Sequence, residues 1–191
     1  MKEVYWVIKN QLAGRCGPDY FSWNLEELRN AGFKTIISFD ASGVNHEEIV
    51  SNGFNHYEFY TRDIVPIYKD DINLFLEYIG EFIYICDHLG KKDKPILTHC
   101  FAGLDRSPVA IICYLVSKGF VKTKKEAIDF LKKVHPRPDW LFCHRDILKL
   151  VDLYLNNKKS NYSALILDPP QKRNLESLID FLNSIKQKMK A

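Results

Sequence analysis

Cys100 stands between His99 and a short loop, Phe101-Ala102-Gly103-Leu104-Asp105, that ends at Arg106 and Ser107. A thiolate is a strong nucleophile, and a helix N-terminus or a nearby cation favours that form. Arg106 offers a planar fork of donors that matches two oxygens of a phosphoryl group. Gly103 permits a positive φ or a close approach that a tight wrap around an anion demands. Ser107 can donate to the cysteine sulfur and stabilise it as a leaving group. These residues predict attack on a phosphate monoester, giving a phosphocysteine that water then hydrolyses. Arg106 and the loop residues Phe101 to Asp105 are the predicted substrate cradle. His99 is expected to support the loop from behind, because strand neighbours point to opposite faces.

Such a cradle needs a strand on one side and a helix on the other. Pro95 to Thr98 reads as a short buried strand, and Pro108 to Lys118 as an apolar helix closed by Gly119. Backbone N–H groups converge where a strand feeds a helix, which makes an anion site. Upstream, Val4 to Ile8, Thr35 to Phe39 and His56 to Tyr60 read as strands. Leu12 to Asp19 reads as a turn-rich connection, and Asn24 to Ala31 and Asn45 to Asn52 as helices ended by glycines. Asp71 to Leu89 carries a long apolar stripe at helical spacing. Thr123 to Glu126 is a capping box opening a helix to about Val134, and His144 to Leu155 is a further amphipathic helix. Alternating strands and helices predict an α/β fold: a central, mostly parallel sheet of about four to five strands flanked by helices. The expected domain is 1–158, followed by a C-terminal extension, 159–191, with an apolar piece at Ala164–Leu167 and a helix from Asn174 to Lys188.

Composition narrows the function classes. The chain has 191 residues, 46% hydrophobic and 27% charged, with a net charge of +3. Such values suit one globular domain and carry no strong nucleic-acid footprint. No apolar run reaches bilayer length, and Met1 to Trp6 lacks a signal-peptide layout, so a cytoplasmic protein is expected. The five cysteines include no Cys-x-x-Cys pair, and neither structural zinc nor a disulfide framework is expected. Cys86 and Cys113 read as buried hydrophobes, Cys16 and Cys143 as lying in or near loops. His46, His56, His135 and His144 lack metal-ligand spacing and read as structural or surface residues. No metal and no cofactor is predicted.

At His99–Ser107 the sequence resembles the cysteine-based protein phosphatases, whose signature is His-Cys-x2-Gly-x2-Arg-Ser/Thr; every fixed position is matched. From Val4 to about Leu155 the pattern is similar to the small dual-specificity branch, including compact archaeal-type protein tyrosine phosphatases. No Lys-Asn-Arg-Tyr element of the larger tyrosine-specific enzymes occurs, which favours a shallower pocket. The resemblance implies hydrolysis of phosphotyrosine, often with phosphoserine and phosphothreonine, on phosphorylated proteins or peptides. Phosphate, vanadate or tungstate are the implied ligands of the loop. It also implies a general acid on a loop before the long helix. Asp63, which precedes Pro66, is the preferred candidate; Asp70 and Asp71 sit where a helix starts and suit its dipole. Asp105 departs from a loop built for a dianion. Leu104-Asp105-Arg106 also looks like triplets of phosphoinositide phosphatases, so a phosphoinositide or RNA 5′-phosphate substrate is the alternative. A non-catalytic phosphate-binding module is the third reading. Near Arg137-Pro138-Asp139-Trp140 related enzymes carry a water-placing glutamine. Here the glutamines are Gln11, Gln171 and Gln187, so Asp63 is expected to activate water as well. Arg137 and Trp140 are candidates for lining the site.

Overall fold

The structure, a computed structural model, describes residues 1–62, 69–142 and 144–157; of residues 69, 70, 145 and 157 only the backbone is described. Contacts divide the chain at Lys159/Ser160. The expected C-terminal extension lies outside the described residues, as do Asp63, Cys143 and the side chain of Asp70.

Among the described residues five strands, β1 (Tyr5–Ile8), β2 (Leu12–Cys16), β3 (Thr35–Ser38), β4 (Asn55–Glu58) and β5 (Ile96–Cys100), form one sheet in the order β1-β2-β5-β3-β4. Only β1 runs antiparallel to its neighbour; β2, β5, β3 and β4 are mutually parallel. This agrees with the expected α/β architecture. The helices are α1 (Leu25–Asn30), α2 (His46–Ser51), α3 (Lys69–His88), α4 (Arg106–Ser117), α5 (Lys124–Val134) and α6 (Leu148–Asn157). Side-chain caps start three of them. Asn24, Asn45 and Thr123 accept from the backbone N–H of Glu27, Glu48 and Glu126, satisfying donors that a helix start leaves orphaned. No helix among the described residues is long and apolar enough to cross a membrane.

The segment 12–19, read from the sequence as a turn-rich connection, instead contains β2. All of β2 is buried, because it lies between β1 and β5 with both faces covered. A doubly covered strand shows no alternation of polar and apolar residues, so Leu12-Ala13-Gly14-Arg15-Cys16 carries no period-two signal. Cys16 accordingly ends an inner strand rather than lying in a loop, in register with Cys100. Cys86 and Cys113 are buried among apolar side chains, as their helical spacing predicts.

Each sheet face has its own core. Ile37, Phe39, Ile96 and Cys100 pack with apolar residues of α3, α4, α5 and α6. Ala13, Ile36 and Leu97 pack on the other face with Leu25, Leu28, Phe33 and Ile49. Phe39 centres the first core, its ring 5.9 Å from Phe75 and 5.7 Å from Phe82. Phe82 also meets Tyr114 of α4 at 6.2 Å, so it ties β3 to the helix that carries Arg106. Phe82→Ala is expected to cost about 3–5 kcal/mol. Chemical denaturation will read this as a lower midpoint at unchanged slope.

Candidate active site

Cys100 is the last residue of β5, and Arg106 and Ser107 open α4. The wrap between them is fixed by its carbonyls. Phe101 O accepts from Gly17 N (2.7 Å) and Leu104 O from Phe142 N (3.1 Å). Ala102 O accepts from Arg137 Nη2 (2.5 Å), and Gly103 O from His135 Nε2 (3.1 Å). Every one of these oxygens is therefore held from outside the loop. In a trans peptide the N–H points opposite to the carbonyl before it. The N–H groups of Ala102, Gly103, Leu104 and Asp105 are thereby turned to the concave side, where an anion would meet them.

Gly103 is required twice over. Its φ is +72°, and an added Cβ would lie 2.7 Å from Arg15 O and 2.9 Å from Cys16 N. Gly17 is constrained in a similar way: a Cβ there would stand 2.9 Å from Cys100 O. The end of β2 thus packs directly beneath the loop.

Ser107 Oγ donates to Cys100 Sγ at 3.4 Å, as the sequence predicts. Arg106 is buried, and its Nη1 is held by Asp40 Oδ2 (2.8 Å), Phe39 O (3.1 Å) and Thr61 O (2.6 Å). This leaves Nε and Nη2 as the pair of donors suited to two phosphoryl oxygens. Asp40 was not anticipated from the sequence. Burial raises its carboxyl pKa, but hydrogen bonds from Ser42 and the charge and hydrogen bond of Arg106 outweigh this and hold it below the usual value. Asp40 thus stays ionised as a counter-charge.

His99 lies on the opposite face from Cys100, in contact with Trp23 and with Ser38 Oγ at 2.7 Å from its Nε2. It grips β3 through that hydroxyl, and its carbonyl accepts from Phe39 N at 2.8 Å. Burial, reinforced by the Arg15 charge, lowers its pKa to about 3. It is therefore a neutral imidazole and no base for the thiol. Asp105 precedes α4 but makes no side-chain capping bond to it, which excludes one of the roles an acid here could play.

Two residues support the loop from outside: His135, read from the sequence as structural or surface, and Arg137, read as a candidate for lining the site. His135 donates from Nε2 to Gly103 O and accepts at Nδ1 from Arg137 N (3.0 Å), which fixes its neutral tautomer. Arg137 also pairs with Glu3 (2.9 Å) and covers the Tyr20 ring at 4.7 Å. Arg137 therefore buttresses the loop. Trp140 is exposed (65%) on a short 3-10 turn, Pro138–Trp140. Tyr20 and Phe101 meet edge to face at 5.7 Å, both substantially exposed on the rim. His46 and His56, read from the sequence as structural or surface residues without metal-ligand spacing, approach at 3.0 Å between Nδ1 atoms.

The family model for the catalytic domain of dual specificity phosphatases matches residues 20–146. Dual specificity protein phosphatase H1 of Variola virus is 26% identical over 114 residues, covering 56% of this chain and 64% of the relative. Human dual specificity protein phosphatase 7 is 28% identical over 118 residues, covering 62% of this chain and 26% of the relative. The chain thus spans less than two thirds of these curated relatives. Among solved structures, PTPMT1 in complex with PI(5)P superimposes with a TM-score of 0.63 at 13% identity, over 81% of this chain and 96% of that one. The Yvh1 phosphatase domain from Chaetomium thermophilum gives 0.61 at 15% identity, over 82% and 97%. At these identities the likeness is one of fold.

Two outcomes test the loop. Gly103→Ala is expected to lose more than about 1 kcal/mol of stability, read as a lower midpoint in chemical denaturation. The second concerns pH. The buried imidazole of His99 titrates near 3 when folded, whereas the unfolded side chain takes its proton at about 6.5. Between those values the unfolded state binds more protons, so stability is full above the unfolded value and falls as pH drops. The slope is at most about 1.4 kcal/mol per pH unit for this group. Melting curves from pH ~6.5 down to ~4 should show the loss, and His99→Asn should shallow it.

Proposed function

The chain belongs to the dual specificity phosphatase family, and we propose that it hydrolyses phosphotyrosine, together with phosphoserine and phosphothreonine, on proteins or peptides through a phosphocysteine intermediate. One observation carries this reading: four consecutive carbonyls of the Cys100–Arg106 loop are held outward, so its amides face an oxyanion above the thiol.

The phosphoryl group sits on those amides, with two oxygens on Arg106 Nε and Nη2. Cys100 Sγ, as thiolate, forms a bond to phosphorus while the bond to the leaving phenol or alcohol oxygen breaks. Asp63 protonates that oxygen. In the second step the Asp63 carboxylate takes a proton from water, which attacks the phosphocysteine and releases inorganic phosphate. The departing sulfur is stabilised by the Ser107 hydroxyl, whose 3.4 Å contact is in place. The exposed Tyr20 and Phe101 rings at the rim suit the aryl face of a phosphotyrosine.

Turnover of a chromogenic aryl phosphate at about pH 5–7 is the direct test, and Cys100→Ser should abolish it. Asp63→Asn should lower kcat roughly 10²–10⁴-fold while Cys100 remains alkylatable by iodoacetate. A folded chain without turnover sinks the hydrolase reading. Loss in Asp70→Asn but not Asp63→Asn would reassign the acid. Faster turnover of phosphoinositides or RNA 5′-phosphates than of phosphopeptides would replace the protein substrate.

A further inference from the structure

On the sheet face opposite the thiol, a polar row crosses three strands. His99 of β5 contacts Ser38 of β3 at 2.7 Å, and the same Ser38 Oγ contacts His56 Nε2 of β4 at 2.9 Å. Beyond it, His46 at the start of α2 brings its Nδ1 to 3.0 Å from His56 Nδ1 and 3.6 Å from Glu58 Oε2. Glu58 is on the same strand face as His56, since strand residues two apart share a face. One ligand atom from each of His46, His56 and Glu58 falls within 4.8 Å of the others.

We propose that His46 Nδ1, His56 Nδ1 and a Glu58 carboxylate oxygen form a binding site for a divalent cation of the zinc class. The donor set is two imidazoles and a carboxylate, the type that zinc takes with a fourth position left to water. In a tetrahedral site with bonds of about 2.0–2.1 Å, ligand atoms stand about 3.4 Å apart. The observed separations are 3.0 Å between the two Nδ1 atoms, 3.6 Å from His46 Nδ1 to Glu58 Oε2 and 3.9 Å from His56 Nδ1 to Glu58 Oε1, so a small turn of the exposed carboxylate brings one oxygen to that spacing. The three side chains are also pre-positioned. His56 is fully buried as a side chain, and Ser38 holds its ring from the far nitrogen. Glu58 Oε1 accepts from the Tyr60 hydroxyl, which aims the carboxylate. Outer partners of this kind orient metal ligands and strengthen them. His46 and Glu58 are partly exposed, giving an entry path from solvent. When His56 Nδ1 coordinates, its proton resides on Nε2 and is donated to Ser38 Oγ, whose O–H is then directed at His99 Nε2. The proposed site therefore shares a hydrogen-bonded row with the residue next to the nucleophile.

The test uses the full chain carrying Cys100→Ser, so that the nucleophilic thiol cannot bind metal. Titration with Co²⁺ is expected to produce the visible absorption of a tetrahedral centre at one equivalent, and Zn²⁺ to displace it. His46→Ala and Glu58→Gln, both at partly exposed positions, should each weaken binding by roughly tenfold or more. Circular dichroism checks that these variants remain folded. No tetrahedral absorption, or affinity unchanged in both variants, overturns the proposal.

Discussion

The outward hold on the carbonyls of Phe101, Ala102, Gly103 and Leu104 is the constraint on which the site depends. Left alone, a loop of this length would satisfy its own polar groups with water or internal turns. Here Gly17, Arg137, His135 and Phe142 claim the oxygens, and the amides have no choice of direction. The positive charge of the cradle is therefore largely backbone dipole, placed before any ligand arrives. Preorganised dipoles cost no reorganisation when charge develops on a substrate, which is why they are effective in catalysis. Arg106 adds a full charge, and Asp40 with the carbonyls of Phe39 and Thr61 sets its position.

The placement of Cys100, Gly103, Arg106 and Ser107 around one loop was legible because it is local: a strand, a wrap and a helix within one short stretch. The other strands and most helices were legible because their apolar residues recur with a period, and three of the helices also open on a side-chain cap. What sequence reading missed is non-local or doubly buried. β2 has no alternation because neighbours cover both faces. Asp40 reaches Arg106 only because β3 lies beside β5. His135 and Arg137 arrive from the end of α5, and Glu3 from the N-terminus; the Arg137-Pro138 pair pointed to the site, but the loop carbonyls that His135 and Arg137 hold lie more than thirty residues away in sequence. His46 and His56 meet because α2 returns the chain to the parallel strand β4, a juxtaposition that metal-ligand spacing rules cannot see. Asp63 stays where the sequence put it, as a proposal.

The two faces of the sheet divide the labour. Cys100 sits on the face covered by α3 to α6, whose aromatic core around Phe39 makes a rigid floor. The other face carries the polar row from His99 to Glu58 and a smaller apolar cluster. Residues adjacent in sequence, His99 and Cys100, thus serve different environments: a neutral imidazole among polar partners and a thiol at the edge of a core. A period-two backbone gives this separation at no extra cost in chain length.

A cradle made of amides is indifferent to the side chains that ride on it. The Phe101 carbonyl accepts from Gly17 N, while its ring stands exposed beside Tyr20. Exchanging that ring alters the rim and leaves the backbone contacts of the loop in place. The rim and the floor are therefore separately adjustable in this molecule: a new ring at Phe101 or Tyr20 meets solvent, whereas a Cβ at Gly17 or Gly103 meets backbone.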